Sequence, residues 1–147
     1  MSAPTLEERL AITDLTVAYC WAIDTHDWPL LNDVFVSDAT ADLDGVPKVG
    51  RAAIVDYIAA VLGKLDDSQH IIANHQIDVD GDAATSRCYL HAQHVRLGVP
   101  GGDLFVVAGR YEDTLVRRPE GWRISHRRLV VMWRDGNVVV VHPKCSD

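Results

Sequence analysis

The sequence predicts an α+β fold in which a curved, cone-shaped, mostly antiparallel sheet wraps around three N-terminal helices and encloses a pocket. Three observations lead there. Apolar residues recur at helical spacing as far as Leu62. From residue 69 onward the period changes to two, in runs separated by turn residues. Those runs exceed the usual strand length of about 5–6 residues, so they must bend, and a bent sheet has one concave side on which helices can gather.

Residues 5–24 read as one amphipathic helix, with Val17, Cys20, Trp21 and Asp24 on one face. Asp24 ends that apolar stripe and is the most informative residue of the chain. Burying an ionised carboxylate is costly unless it is paired or hydrogen-bonded. The chain therefore supplies a partner or uses the group for chemistry. The plainer alternative is that Asp24 turns into solvent at the helix end. Thr25-His26-Asp27 breaks the helix, and Asp27 suits the N-cap of a short second helix that packs Leu30, Leu31, Val34 and Phe35 inward. Residues 39–49 read as an extended piece turning at Asp44-Gly45. Gly50 precedes a third helix carrying Ile54, Tyr57, Ile58, Val61 and Leu62, with Gly63 as its C-cap. Strands follow at 69–79, 83–97, 103–117 and 122–134, and 138–141 reads as a last short strand. Tight turns at Asp80-Gly81-Asp82 and around Gly121 make this a meander.

One domain, 1–147, accounts for the length, and 48% hydrophobic with 24% charged residues is ordinary globular composition. A net charge of −7 without any basic run makes nucleic acid and anionic membranes poor partners. No apolar stretch is long enough to span a bilayer, and the first residues lack the pattern of a signal peptide. Cys20, Cys88 and Cys145 are odd in number and lack CxxC spacing, which fits a reducing compartment; a cytoplasmic protein is expected. Valine-rich strands such as the one holding Val106 and Val107 offer apolar surface on two faces, which suggests a homo-oligomer.

Metal binding is not expected. His91 and His94 are three apart on a strand and fall on opposite faces, as do His70 and His75, and no HExxH is present. His91 joins the pocket if its face, shared with Tyr89 and Gln93, is the concave one. Arg127 lies at odd separations from Trp122 and Ile124 and so on the opposite strand face. It is expected to point into the pocket mouth and hold a substrate oxygen or anion, rather than serve as an ordinary surface charge. Trp133 stands at the end of the fourth strand as a candidate ligand wall, with packing as its ordinary role. Tyr19 is a candidate pocket donor.

Three motifs carry a family resemblance across residues 6–134. The first is Ile12-x-x-Leu15-x-x-x-Tyr19-x-x-x-Ile23-Asp24-x-x-Asp27-Trp28-x-x-Leu31-x-x-x-Phe35. The second is Gly50-Arg51-x-x-Ile54 with Ser68-x-His70-x-x-x-Asn74. The third is Gly109-Arg110-Tyr111-x-Asp113 with Gly121-Trp122-Arg123-Ile124. Their order resembles the SnoaL-like branch of the nuclear transport factor 2-like superfamily, and within it the scytalone dehydratase and dehydrochlorinase group. The resemblance implies a catalytic Asp at the end of the first helix, matched by Asp24, and a His on the first long strand, matched by His70. It also implies a pocket asparagine and arginine, matched by Asn74 and Arg127, and an oligomer, with a trimer favoured and a dimer possible. The dehydratase has a tyrosine before its Asp where this chain has Ile23, and the dehydrochlorinase a lysine near the place of Tyr19 or Cys20.

A neutral histidine oriented by a carboxylate can remove a moderately acidic proton near pH 7. That suits a cofactor-independent lyase, a dehydratase or dehydrohalogenase, acting on a small apolar cyclic or polyketide-like molecule. An isomerase or cyclase with the same base is the second reading. A binding protein with a merely structural Asp–His bridge is the third.

Overall fold

The computed structural model describes residues 3–142. The chain runs α1 (Leu6–Asp24), a 3₁₀ turn (Trp28–Asp33), β1 (Phe35–Leu43), β2 (Pro47–Val49), α2 (Arg51–Leu62), β3 (Asp67–Asp80), β4 (Ala83–Val95), β5 (Leu104–Arg118), β6 (Gly121–Gly136) and a 3₁₀ turn (Val138–Val140). The strands form one sheet in the order β2-β1-β6-β5-β4-β3, antiparallel except where β1 runs parallel to β6. The sheet curves without closing, and the helices fill its concave side. No helix among the described residues is long and apolar enough to cross a membrane. Cys20 and Cys88 are buried free thiols; Cys145 lies outside the described residues.

α1 begins at a capping box, in which Glu8 N–H donates to Thr5 Oγ1 and Thr5 N–H donates to the Glu8 carboxylate. Its buried face is Ile12, Thr16, Tyr19 and Ile23, not the stripe through Val17 and Trp21, which are 37% and 66% exposed. Thr16 is polar and so hides this face in the sequence. Inside, its hydroxyl donates to Thr13 O at 2.8 Å and meets His75 Nε2 at 2.9 Å, which removes the burial penalty. Cys20 is buried and Asp24 lies on the flank of the face.

Two further expectations change. The short second helix is a 3₁₀ turn whose Asp27 makes no side-chain cap. Residues 138–141 form no strand, because β6 already has β1 and β5 on its two sides and leaves no edge to join. Asn137 instead caps a 3₁₀ turn by accepting from Val139 N–H, and Val140 is buried.

Bulges decide which residues face the concave side. On β3, Ala73 pairs with Tyr89 and Gln76 with Arg87, so Asn74 and His75 together oppose Cys88. Asn74 takes the left-handed conformation (φ 60°) that asparagine tolerates well. On β6, Thr114 pairs with His126 but Leu115 with Ile124, so Ser125 is extra. That residue reverses the parity of everything after it. Arg127 therefore turns inward on the same side as Trp122 and Ile124, and the expectation that it reaches the pocket mouth is corrected.

Inside, Arg127 donates from Nε and Nη2 to the two carboxylate oxygens of Asp113, each at 2.7 Å, and both side chains are only 1% exposed. Its guanidinium lies 4.2 Å from the Tyr19 ring centroid and 4.0 Å from that of Tyr111. The neighbouring Glu112–Arg110 pair is solvated. Removing one partner of a buried pair strands the other charge. Asp113→Ala is thus expected to lower stability by about 3–5 kcal/mol, and Glu112→Ala by no more than about 1 kcal/mol, as measured by urea unfolding.

Candidate active site

Asp24 occupies the last turn of α1, where the helix stops as His26 enters positive φ (57°). The end of α1 lies across β3, one of the two edge strands. Asp24 Oδ1 accepts from the Ser68 hydroxyl at 2.8 Å and sits 2.6 Å from His70 Nδ1, while Oδ2 accepts from the His70 backbone N–H at 2.9 Å. Burial works to raise the Asp24 carboxyl, but the hydrogen bonds from the His70 ring and backbone and from Ser68 outweigh it and hold the group below its ordinary value. An ionised carboxylate can only accept, so His70 Nδ1 carries a proton and Nε2 is the nitrogen left free of Asp24. The His70 side chain is 5% exposed.

The His70 ring forms part of the wall of a cavity of about 300 Å³ between the helices and the concave face of the sheet. Tyr19, Ile23, Tyr57, His94 and Tyr111 share that wall, and Asp44, Arg134 and His142 also line it. The cavity is mostly apolar with a few polar groups, as small-ligand sites are. Among the described residues no three His, Cys, Asp or Glu side chains converge as a metal site.

The structure places Tyr19 and His70 on this wall, and Asp24 behind it, in contact with the His70 ring. It does not bring His91 or Trp133 there. His91 is exposed and meets Trp133, itself 50% exposed, on the outer face, with ring centroids 5.8 Å apart. The concave residues of β4 are Ala84, Ser86, Cys88, Leu90, Ala92 and His94, so the face containing His91 is the solvent one. Met132 is the extra residue of a second β6 bulge, which turns Trp133 outward. Asn74 is exposed at its own bulge.

Sequence reasoning passed over Ser68 and His94. The signal for His94 was present: Ala84, Cys88, Leu90 and Ala92 fall at alternate, even-numbered positions of β4, and His94 continues their alternation. Its ring stands edge-on to that of His70, 5.5 Å between centroids, and its Nδ1 lies 3.1 Å from Phe105 O. A carbonyl can only accept, so Nδ1 is the protonated nitrogen and Nε2 an acceptor.

Burial first, and the nearby His70 second, push His94 down to about 4 from 6.5. Burial also lowers His75. A histidine depressed in the folded state binds its proton more readily once unfolded, so folding is disfavoured as pH falls. The contribution of His94 is complete above about pH 6.5 and is lost on going down toward about 4. The melting temperature is expected to fall across that window, and the fall to be shallower in His94→Gln, with the remaining slope carried in part by His75.

The whole-chain comparisons agree with this architecture. Residues 4–128 match the SnoaL-like domain family. The uncharacterized protein Rv2910c of Mycobacterium tuberculosis is 35% identical over 129 residues, covering 86% of this chain and 87% of the relative. Terrestric acid biosynthesis cluster protein E of Penicillium crustosum is 30% identical over 143 residues, covering 93% and 91%. A Novosphingobium aromaticivorans structure provisionally described as an aromatic ring hydroxylase superposes with a TM-score of 0.84 at 30% identity, covering 95% of this chain and 100% of that one. Another from the same organism, provisionally described as a scytalone dehydratase, gives 0.82 at 23% identity with 97% and 96% coverage, a likeness of fold. The chain belongs to the SnoaL-like domain family, within the nuclear transport factor 2-like fold.

Proposed function

We propose that the cavity is the active site of a cofactor-independent lyase that eliminates water or halide from a small, mostly apolar cyclic molecule. The observation that carries this reading is the Asp24–His70 contact of 2.6 Å, with the His70 ring on the wall of an apolar cavity. His70 Nε2 takes a proton from substrate carbon. The C–H electron pair becomes the new double bond, and the leaving group departs with its own pair. For a hydroxyl leaving group the imidazolium returns the proton, so water leaves and His70 is neutral again. Asp24 holds the tautomer and stabilises the imidazolium. The neutral His94 offers Nε2 as an acceptor for a substrate hydroxyl, and Tyr19 offers a donor. The volume, at the low end for ligand pockets, suits one or two rings. A relative from a biosynthetic cluster is consistent with a small metabolite as substrate.

An isomerase or cyclase shares the proton transfer and lacks the leaving group. Incubation in deuterated water with cyclic hydroxy-ketones and steroid-like enones tests the shared step. Wild type is expected to exchange or turn over a substrate anaerobically, and His70→Ala and Asp24→Asn to lose about 10²–10⁴-fold in rate while staying folded. Anaerobic turnover also separates this chemistry from oxygen-dependent hydroxylation. Full activity in His70→Ala would defeat the reading.

We further propose that the outer face of the sheet packs against other copies of the chain, with a trimer favoured over a dimer. Ile71, Tyr89, Met132 and Trp133 are each at least half exposed there and line one shallow apolar depression. Sedimentation is expected to give an oligomer that Trp133→Glu dissociates.

A further inference from the structure

We propose that Arg134, at the mouth of the cavity, binds a carboxylate that the substrate carries away from its reacting carbon, and that Asp44 is the internal counter-ion this carboxylate displaces. The inference deepens the elimination reading by naming a substrate class, a small cyclic carboxylate. It rests on that reading only for the chemistry at the other end of the molecule.

The place of Arg134 is made by a bulge. Gly109 pairs with Val131 and Ala108 with Trp133, so Met132 is extra. Without that residue Arg134 would fall on the outer face. With it, Arg134 stands opposite Val107 on the concave side, and both line the cavity. Its side chain is 56% exposed, against 5% for His70. The arginine is therefore at the mouth and the histidine at depth. The wall they share is largely apolar, through Ile58, Leu90, Val107, Leu129 and Val131. Two residues after Arg134 the chain turns at Gly136 (φ 95°), where a Cβ would lie 2.4 Å from Leu104 O. Only glycine fits there, and the turn fixes the strand end that carries the arginine.

Arg134 and Asp44 are unequal halves of an ion pair. Asp44 is anchored to β6: its backbone N–H donates to Leu129 O at 3.1 Å, and its Oδ1 accepts from Val131 N–H at 3.2 Å. Its Oδ2 lies 3.6 Å from Arg134 Nη2, beyond hydrogen-bond distance. Among the described residues the guanidinium makes no hydrogen bond, although it carries five N–H donors in a fork that matches a carboxylate. A half-exposed, poorly aligned pair contributes little to stability. Little is lost when a ligand carboxylate meets the fork squarely and brings an apolar ring into the cavity behind it. A chain of net charge −7 repels anions at long range, so a preference for an anion here has to be local.

The test compares two fluorescent probes of nearly equal shape, 2-naphthoate and its neutral isostere 2-naphthamide, by titration near pH 7. Wild type is expected to bind the naphthoate about 10-fold more tightly. The difference is expected to shrink as the ionic strength rises from about 0.01 to about 1 M, where the screening length falls from about 30 to about 3 Å. Arg134→Gln is expected to bind both probes alike while keeping the wild-type melting temperature, and Arg134→Lys to keep part of the preference. Asn at position 44 still accepts from Val131 N–H and tolerates the left-handed φ of 54°. Asp44→Asn is therefore expected to tighten naphthoate several-fold and leave the amide unchanged. Equal affinities in wild type, a preference that survives Arg134→Gln, or weaker naphthoate binding in Asp44→Asn would overturn the proposal. Proton exchange that persists alongside such a result would leave the Asp24–His70 reading standing. Naphthoate preference in a protein with no exchange would leave the carboxylate site standing and count against the lyase.

Discussion

The Asp24 carboxylate receives three hydrogen bonds from a three-residue stretch of β3, and much of the molecule is organised by that contact. It ties the end of α1 to an edge strand. It satisfies the backbone N–H of His70, which has no strand beside it on that side, and so covers part of a sheet edge. It selects the His70 tautomer and turns the free nitrogen away from α1. A single carboxylate thus joins helix to sheet, blunts an edge and fixes which His70 nitrogen carries its proton.

A second buried charge stands deeper. Asp113 holds Arg127 in two-pronged fashion, and the guanidinium fixes Tyr19 of α1 and Tyr111 of β5 against one another. The two charged contacts are linked through α1, since Tyr19 and Asp24 lie five residues apart on the same helix. A tilt of α1 would disturb both. This helix is therefore less a cover for the sheet than the beam from which one wall of the cavity hangs.

The large features were legible because they depend on periodicity and punctuation. The helical period up to Leu62, the long alternating strands and the turns at Asp44-Gly45 and Gly81 survive any error of register. Asp24 and His70 were legible because one ends a helix and the other starts a strand, so neither depends on counting far along an element. Two of the errors share one physical origin. Arg127 and Trp133 lie beyond bulges at Ser125 and Met132, and each extra residue inverts the alternation that assigns a side chain to a face. His91 was set against His94 without weighing the apolar parity of its own strand. Thr16 disguised the true face of α1, because a polar residue reads as solvent-facing until its partners are known. The 3₁₀ turn at Val138–Val140 depends on which edges of the sheet are already taken, and that is a property of topology that no local pattern carries.

The bulges also bear on how such a molecule can change over generations. In a regular strand, redirecting a side chain from solvent to cavity takes a new residue at each position. In a bulged strand, gaining or losing one residue swaps the whole downstream segment between the two sides while the hydrogen-bonded frame persists. β3 carries one such point and β6 two, all on strands that contribute to the cavity wall or its rear support. Short insertions and deletions at Asn74, Ser125 and Met132 are therefore a route by which this scaffold can acquire a new lining in a single mutational event, with Asp24 and His70 left in place.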